Sequence, residues 1–317
     1  MPPTNLHHAA LVSIATLVAA CAAPPTPPAV PHAPEPSAAL APEPDPEPEP
    51  EPDPEPEPLP ALATESAALP AVAAPAAAQR EEVRAVVLVY HMLGSMENEM
   101  AVEPTAFEEQ MRWLVDHAVP VVRTSELASF LEDARPMPER VAVIQLDDGH
   151  VSVRSRAFPV LQKLGLPFTI ALNTQVLEDH RREVMTWDAV RELVASGLCE
   201  IASHSHIHGH MERLTDARNR SEAEVSRTLI EARTGVRPEA FVYPFGGQDE
   251  RVRQTIEDAG YRLAFGVSGI PARAASPRFD VPRVGVMRST SISAFARLFG
   301  VKGAEAKKAA KGAKKSS

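Results

Sequence analysis

From Glu81 to about Gly300 the chain switches repeatedly between short apolar runs and amphipathic stretches, and this alternation limits the possible folds more than any other feature. RAVVLVYH at 84–91 reads as a buried strand, as do VAVIQLDDG at 141–149, PFTIALNT at 167–174 and CEIAS at 199–203. TAFEEQMRWLVDHA at 105–118 places Phe107, Met111, Leu114 and Val115 at helical spacing. MTWDAVRELVASG at 185–197 is a helix with Thr186 as its cap and Gly197 at its end. SEAEVSRTLIEARTG, AFVYPFG, DERVRQTIEDAG, YRLAFGV, PRVGVM and SISAFARLFG continue the pattern. About seven strand–helix units predict a parallel α/β fold, a distorted (β/α)7-type barrel closed or nearly closed on itself. A doubly wound open sheet is the rival, but no glycine fingerprint follows the first strand. In either architecture the chemistry belongs at the carboxyl ends of the strands.

The flanks do not share this pattern. Residues 1–21 contain a short apolar run, Ala9 to Ala20, closing on Leu17-Val18-Ala19-Ala20-Cys21. That run has the length of a secretory leader core and is too short for a finished membrane span. Its end resembles a lipobox, in which the Cys21 thiol carries a lipid; Ala22 after it leans toward the outer membrane. The leader has no Lys or Arg, only His7 and His8, which departs from the usual pattern. Pro24 to Pro60 contains seventeen prolines in thirty-seven residues, alternating with Glu and Asp. Proline fixes φ and removes donors while like charges repel, so residues 22–80 are expected to form an extended, solvated, disordered stalk. Residues 302–317 carry six lysines and one acid, a second disordered segment suited to anionic envelope polymer or lipid.

The formal net charge of −10 is largely a stalk property, since residues 1–80 hold ten acids and one base. The part between, residues 81–301, is only mildly acidic and gives no nucleic-acid footprint. It is expected to be one domain, working as a monomer. Cys199 is its only cysteine, which excludes a disulfide within it.

Two stretches fall at strand ends. Ser203–His210 reads SHSHIHGH, with histidine at every second position. In a continuing strand, residues four apart would stand ~13 Å apart, too far to grip one ion. In a helical turn, i and i+4 come within ~6 Å. His204/His208 and His206/His210 both have that spacing; the first begins at the strand end and contains no glycine, and is favoured. A catalytic zinc-type site takes three protein ligands and keeps one position open. The best third ligand lies in Leu146-Asp147-Asp148-Gly149, where two adjacent carboxylates are costly to bury without a cation or hydrogen bonds and Gly149 permits a sharp exit. One Asp can ligate while its neighbour serves as general base.

The ordered pair DDGHVS … SHSHIH resembles the polysaccharide deacetylase family, carbohydrate esterase family 4 with its NodB-homology domain. The family's first motif is Thr-Phe-Asp-Asp-Gly and its second His-Ser/Thr-x-x-His, matched by His204-Ser205-His206-Ile207-His208. The resemblance implies Asp147 as base and Asp148, His204 and His208 as metal ligands. Phe241-Val242-Tyr243-Pro244-Phe245-Gly246 is similar to the YPFG form of the branch that deacetylates poly-N-acetylglucosamine. It implies that Tyr243, Pro244 and Phe245 serve the sugar groove and, through the Phe245 N–H, the oxyanion. The family's closing Leu-x-x-His, which supplies the general acid, has no counterpart after His210. Leu88-Val89-Tyr90-His91 on the first strand is similar to it, in the circularly permuted order of that branch. Gln145-Leu146 replace Thr-Phe, and Val242 stands where an arginine usually positions the base; Arg283 is the candidate substitute.

The resemblance implies a metal-dependent hydrolase, with Zn²⁺ first and Co²⁺, Ni²⁺ or Fe²⁺ also suited to the donors. Its substrate would be an N-acetylated envelope polysaccharide, reached from a lipid tether in the membrane. An O-acetyl polysaccharide esterase and a non-catalytic polysaccharide-binding lipoprotein are the alternatives. Trp113, His117 and Cys199 are read as structural, His150 as a groove neighbour, and His206 and His210 as spare imidazoles.

Overall fold

A computed structural model describes residues 84–132, 136 and 138–301. Cys21, the proline-rich segment and the lysine-rich tail lie outside the described residues. The chain begins with β1 (Arg84–Tyr90), β2 (Met92–Leu93), β3 (Ala101–Val102), α1 (Pro104–Asp116), α2 (Thr124–Leu131) and β4 (Arg140–Leu146). A π-helical turn at Val153–Ala157 runs into α3 (Phe158–Leu164), followed by β5 (Phe168–Leu172), α4 (Thr174–Glu178), α5 (Trp187–Ala195) and β6 (Cys199–Ser203). Then come α6 (Asp216–Thr234), β7 (Ala240–Val242), α7 (Glu250–Asp258), β8 (Leu263–Phe265), β9 (Val284–Gly285) and α8 (Ile292–Leu298). None of these helices is long and apolar enough to cross a membrane.

Seven strands form one parallel sheet in the order β8-β7-β6-β5-β4-β1-β9. The sheet curls until its two edges meet on one segment. Val281 bridges to Phe265, and the Gly266 N–H donates to the Val281 carbonyl at 3.0 Å. Three residues later Val284 pairs with Leu88, and Gly285 with Val89. Residues 281–285 thus bond to β8 at their start and to β1 at their end, which makes the fold the barrel type rather than the open sheet.

Period-two alternation sorts the strand residues. Ala85 and Val87, Val141 and Val143, Ala171, Ala202, Ala240 and Val242, Leu263 and Phe265 form the inner cluster. Their neighbours Leu88, Ile144, Leu146, Ile170, Leu172 and Ile201 face outward and pack under the helices. There Phe107, Met111 and Leu114 of α1 are fully buried, at the spacing read from sequence. Tyr90 donates to Gln110 at 2.8 Å and meets Phe107 edge-on at 5.0 Å. The small side chains on β5, β6 and β7 keep the interior narrow. α2, which has no clear sequence signal, packs Leu127, Ala128 and Phe130 into the same inner cluster.

Helix ends follow their caps. Thr186 accepts from the Ala189 N–H at 3.3 Å, as its sequence position predicts, and Thr215 does the same for Arg218, starting α6 five residues before the SEAEV stretch. His117 stacks on Trp113 at 4.1 Å, and Cys199 is buried, its thiol pushed up by burial; both are structural.

Leu88 sits on the strand that joins β4 to the closing segment and has no exposed surface. Leu88→Ala is expected to cost about 2–5 kcal/mol through lost burial and a cavity, read as a fall in the urea midpoint at unchanged m-value.

Candidate metal centre and base

β6 ends at Ser203, and the ladder continues one step as the His204 N–H donates to the Leu172 carbonyl at 2.9 Å. His204 is 3% exposed, and its Nδ1–H donates to the Val242 carbonyl at 2.8 Å, which leaves the Nε2 lone pair free to ligate. The chain then reverses. It does so through left-handed residues, Ser205 (φ 63°) and His208 (φ 57°), and not through the helical turn that the i, i+4 spacing predicts. The outcome for the rings is the same: the Nε2 atoms of His204 and His208 stand 3.0 Å apart. A left-handed conformation costs roughly 1–3 kcal/mol at a non-glycine residue and persists only where surroundings impose it. Here Ser205 Oγ accepts the His208 N–H at 2.9 Å, and the buried Glu222 carboxylate of α6 accepts the His206 and Ile207 N–H groups at 2.9 and 2.8 Å. Arg218 balances that carboxylate at 2.9 Å. His206 turns away to Thr174, and His210 sits against Glu212 and Phe245.

Asp148 completes the group. Its Oδ1 lies 3.5 Å from His204 Nε2 and 3.4 Å from His208 Nε2, and it too is left-handed (φ 68°), followed by Gly149 at 66°. Donors about 2.0–2.1 Å from a tetrahedral ion stand roughly 3.3 Å apart, so the spacing fits a divalent cation. The donor chemistry fits as well: two imidazoles and one carboxylate, with ligand atoms all within 4.8 Å of one another. Burial, then the neighbouring His204, pushes His208 down to about 4, so its imidazole is neutral at physiological pH, the form a metal ligand requires. The Asp148 side chain is 43% exposed, which leaves the site open on one side.

Asp147, next to it, points the other way and is 1% exposed. Arg283, equally buried, places its guanidinium 3.1 Å from Asp147 Oδ1 and 3.0 Å from Oδ2. The same guanidinium donates to the Gly266 carbonyl and to Gln145 Oε1, both at 3.0 Å. Gln145 reaches Thr124 Oγ1 at 3.3 Å, and Thr124 meets Thr169 at 2.8 Å. Burial alone pushes the Asp147 carboxyl up; Arg283, with His204 and His91, outweighs it and holds the group below the usual carboxylate range. His91 follows β1 and is partly buried. Burial lowers its pKa, while Asp147 and Asp148 are near enough to oppose the shift. Asp147, Asp148, His91, His204, His208 and Arg283 therefore meet at one mouth of the barrel.

Tyr243 does not join them. It has no exposed surface, packs on Phe241 at 5.5 Å and donates to the Phe279 carbonyl at 3.0 Å. The expectation that its ring serves a sugar groove is corrected by strand alternation: Val242 takes the inward position, so Tyr243 faces the helices. Pro244 is buried in a 3-10 turn, and Phe245 is the aromatic presented to solvent, 61% exposed at φ 58°. It stacks on His210 at 4.2 Å and meets His208 edge-on at 4.6 Å. His150 is held by Ser152 beside the mouth. Gln145, marked by the sequence as a departure from the first motif, belongs to a polar floor whose other members, Thr124 and Thr169, sequence reasoning missed, as it did Asn173; the alternation Thr169-Ala171-Asn173 is the available signal.

A parallel barrel with this carboxylate and imidazole cluster at the carboxyl ends of its strands defines a class. Residues 134–264 match the family model for polysaccharide deacetylases. The matched span holds Asp147, Asp148, His204 and His208, while His91 and Arg283 flank it. YxkH of Bacillus subtilis (strain 168) is 28% identical over 211 residues, 66% of this chain and 74% of that protein. The poly-beta-1,6-N-acetyl-D-glucosamine N-deacetylase of Escherichia coli (strain K12) is 27% identical over 239 residues, 62% of this chain but 35% of its own length. Among solved structures, Streptococcus pyogenes deacetylase PplD in complex with acetate has a TM-score of 0.65 at 19% identity, covering 69% of this chain and 99% of that one. IcaB from Ammonifex degensii has a TM-score of 0.59 at 24% identity, covering 69% and 96%. These two establish the shared fold.

Arg283→Met leaves the Asp147 charge buried without its partner and is expected to cost roughly 3–5 kcal/mol in urea denaturation. Adding Asp147→Asn to that background should restore part of the loss. The sign of the pH effect follows from the depressed Asp147 value. In the wild type the pairing contributes fully above the ordinary carboxylate range of about 4 and is lost as pH falls through the folded value.

Proposed function

We propose that this site hydrolyses the N-acetyl groups of a polymeric N-acetylated amino sugar, of the poly-N-acetylglucosamine or peptidoglycan-glycan kind. The observation that carries the reading is the convergence of the Asp148–His204–His208 donor group with an ion-paired Asp147 and His91 at one mouth. A divalent ion held by Asp148, His204 and His208, Zn²⁺ by preference, supplies Lewis-acid polarisation of the amide carbonyl when bound.

The protein groups do the rest. Arg283 keeps Asp147 ionised, so it accepts a proton from the attacking water. The Phe245 N–H donates to the oxygen that gains charge, a type of contact worth about 3–4 kcal/mol where one such donor was removed elsewhere. His91, in its protonated form, which burial opposes and the Asp147 and Asp148 charges favour, passes its proton to the departing nitrogen; an amide nitrogen leaves poorly without it. Phe245 offers its exposed face to a sugar ring. The products are acetate and a free amine on the polymer. Cys21 and the proline-rich sequence support an exported enzyme tethered by lipid in the cell envelope.

Acetate release from N-acetylglucosamine oligomers is the decisive measurement. Release is expected from the amide, lost with a chelator and restored by Zn²⁺ or Co²⁺. Acetate from O-acetylated xylan alone would turn the assignment to an esterase, and none from either would leave a binding protein. Asp147→Asn should keep the metal, counted by mass spectrometry of the native protein, and lose activity by about 10²–10⁴-fold. His91→Ala should slow amide cleavage far more than cleavage of 4-nitrophenyl acetate, whose leaving group needs no proton; equal losses would remove His91 as the acid.

A further inference from the structure

Asn173 follows β5 and occupies the capping position of α4, yet its side chain does not cap the helix. Asparagine at that position ordinarily accepts a hydrogen bond from the second or third N–H of the helix. Here the first two N–H groups are taken from outside: Thr174 donates to the Ser205 carbonyl at 3.3 Å and Gln175 to the His206 carbonyl at 2.9 Å. The carboxamide is left without that role. Its backbone is extended (φ −79°, ψ 109°), so the strand alternation through Thr169 and Ala171 carries the side chain inward. It is 6% exposed, and its Oδ1 is sealed with no hydrogen-bond partner among the described residues.

The register fixes its neighbours. Leu172 pairs with Ser203, so Asn173 stands beside His204; on the other side Ile170 pairs with Leu146, a register that continues to Asp147 beside Ala171, with Asn173 the next inward residue along β5. An unpaired buried acceptor costs about 1–3 kcal/mol, which the fold tolerates here beside a metal-ligand candidate and one inward position beyond the level of Asp147. We propose that Asn173 is a positioning residue for the attacking water, accepting the O–H that Asp147 does not take. The inference rests on the deacetylase reading.

Water brings two O–H bonds to the mouth. Asp147 removes one proton as the water oxygen bonds to the carbonyl carbon and the carbonyl pair moves onto its oxygen. The second proton stays on the former water oxygen throughout, held by Asn173, and leaves with the acetic acid, which then ionises. His91 gives its proton to the nitrogen as the C–N bond breaks. Fixing the second O–H aims the remaining lone pair at the carbonyl. The terminal amide torsion of asparagine is broad, so a half-turn that brings the oxygen to the mouth is inexpensive.

Asn173→Leu tests this with three readouts. Its kcat on N-acetylglucosamine oligomers should fall about ten- to a hundredfold, as loss of roughly 1.4–2.7 kcal/mol of transition-state stabilisation implies. In an Asp147→Asn background, the oligomer Kd should stay within about twofold, because the lost contact is to water and not to sugar. The melting temperature should match or exceed the wild type, since an apolar group of similar shape replaces an unpaired buried acceptor. Asn173→Ser, which keeps a small acceptor, should recover part of the kcat. An unchanged kcat, an oligomer Kd weakened fivefold or more on the scale of about 1 kcal/mol, or a drop of several degrees in melting temperature each overturns the assignment. If Asn173→Leu does not fold, the role is structural and the proposal fails. Wild-type protein that releases no acetate removes the deacetylase reading, and this inference with it, a result distinct from any difference between variant and wild type.

Discussion

The buried pair between Asp147 and Arg283 is the constraint around which the mouth of the barrel is arranged. A carboxylate with 1% exposure stays ionised only if the surroundings replace the water it has lost. Arg283 does so with two contacts near 3 Å, and it is itself satisfied by Gly266 and Gln145. Neither residue can be understood alone. Without the guanidinium, burial would protonate the acid; without the acid, the guanidinium would be an uncompensated charge in the core. The polar floor beneath them, Gln145 with Thr124 and Thr169, extends this network downward through further hydrogen bonds.

A different device holds the Asp148, His204 and His208 donor group. Asp148, Ser205, His208 and Phe245 all adopt left-handed backbone, four of the six such non-glycine residues in the described chain. Strain concentrated in this way is the mark of a site whose geometry is imposed from outside. Glu222 is the main agent for the histidine loop, because a single buried carboxylate ties down two successive N–H groups. The loop is therefore pinned by α6, a helix that contributes no donor to the site.

Much of this was legible in the sequence. The β4 and β6 ends stand out because adjacent carboxylates are costly to bury without a cation or hydrogen bonds, and His204 with His208 is the i, i+4 pair that starts at the strand end and has no glycine in its turn. Arg283 is legible as the replacement for the arginine missing at Val242. What escaped was local conformation. The turn that joins His204 to His208 is left-handed because Ser205 and Glu222 supply the hydrogen bonds, and spacing carries no sign of that. Tyr243 was misjudged because its motif drew more weight than strand parity, which sends Val242 inward and the tyrosine out. Asn173 was overlooked because asparagine before a short helix looks like a cap; only its bonding pattern reveals that the capping role is unfilled.

Arg283 lies on the segment 281–285 that both sheet edges share, between the bridge at Val281 and the pairing at Val284. The counter-charge of Asp147 is thus carried by the seam of the barrel. The few residues that draw the two sheet edges together also hold the guanidinium that the buried carboxylate needs, so any change that loosens the seam also strips Asp147 of its partner.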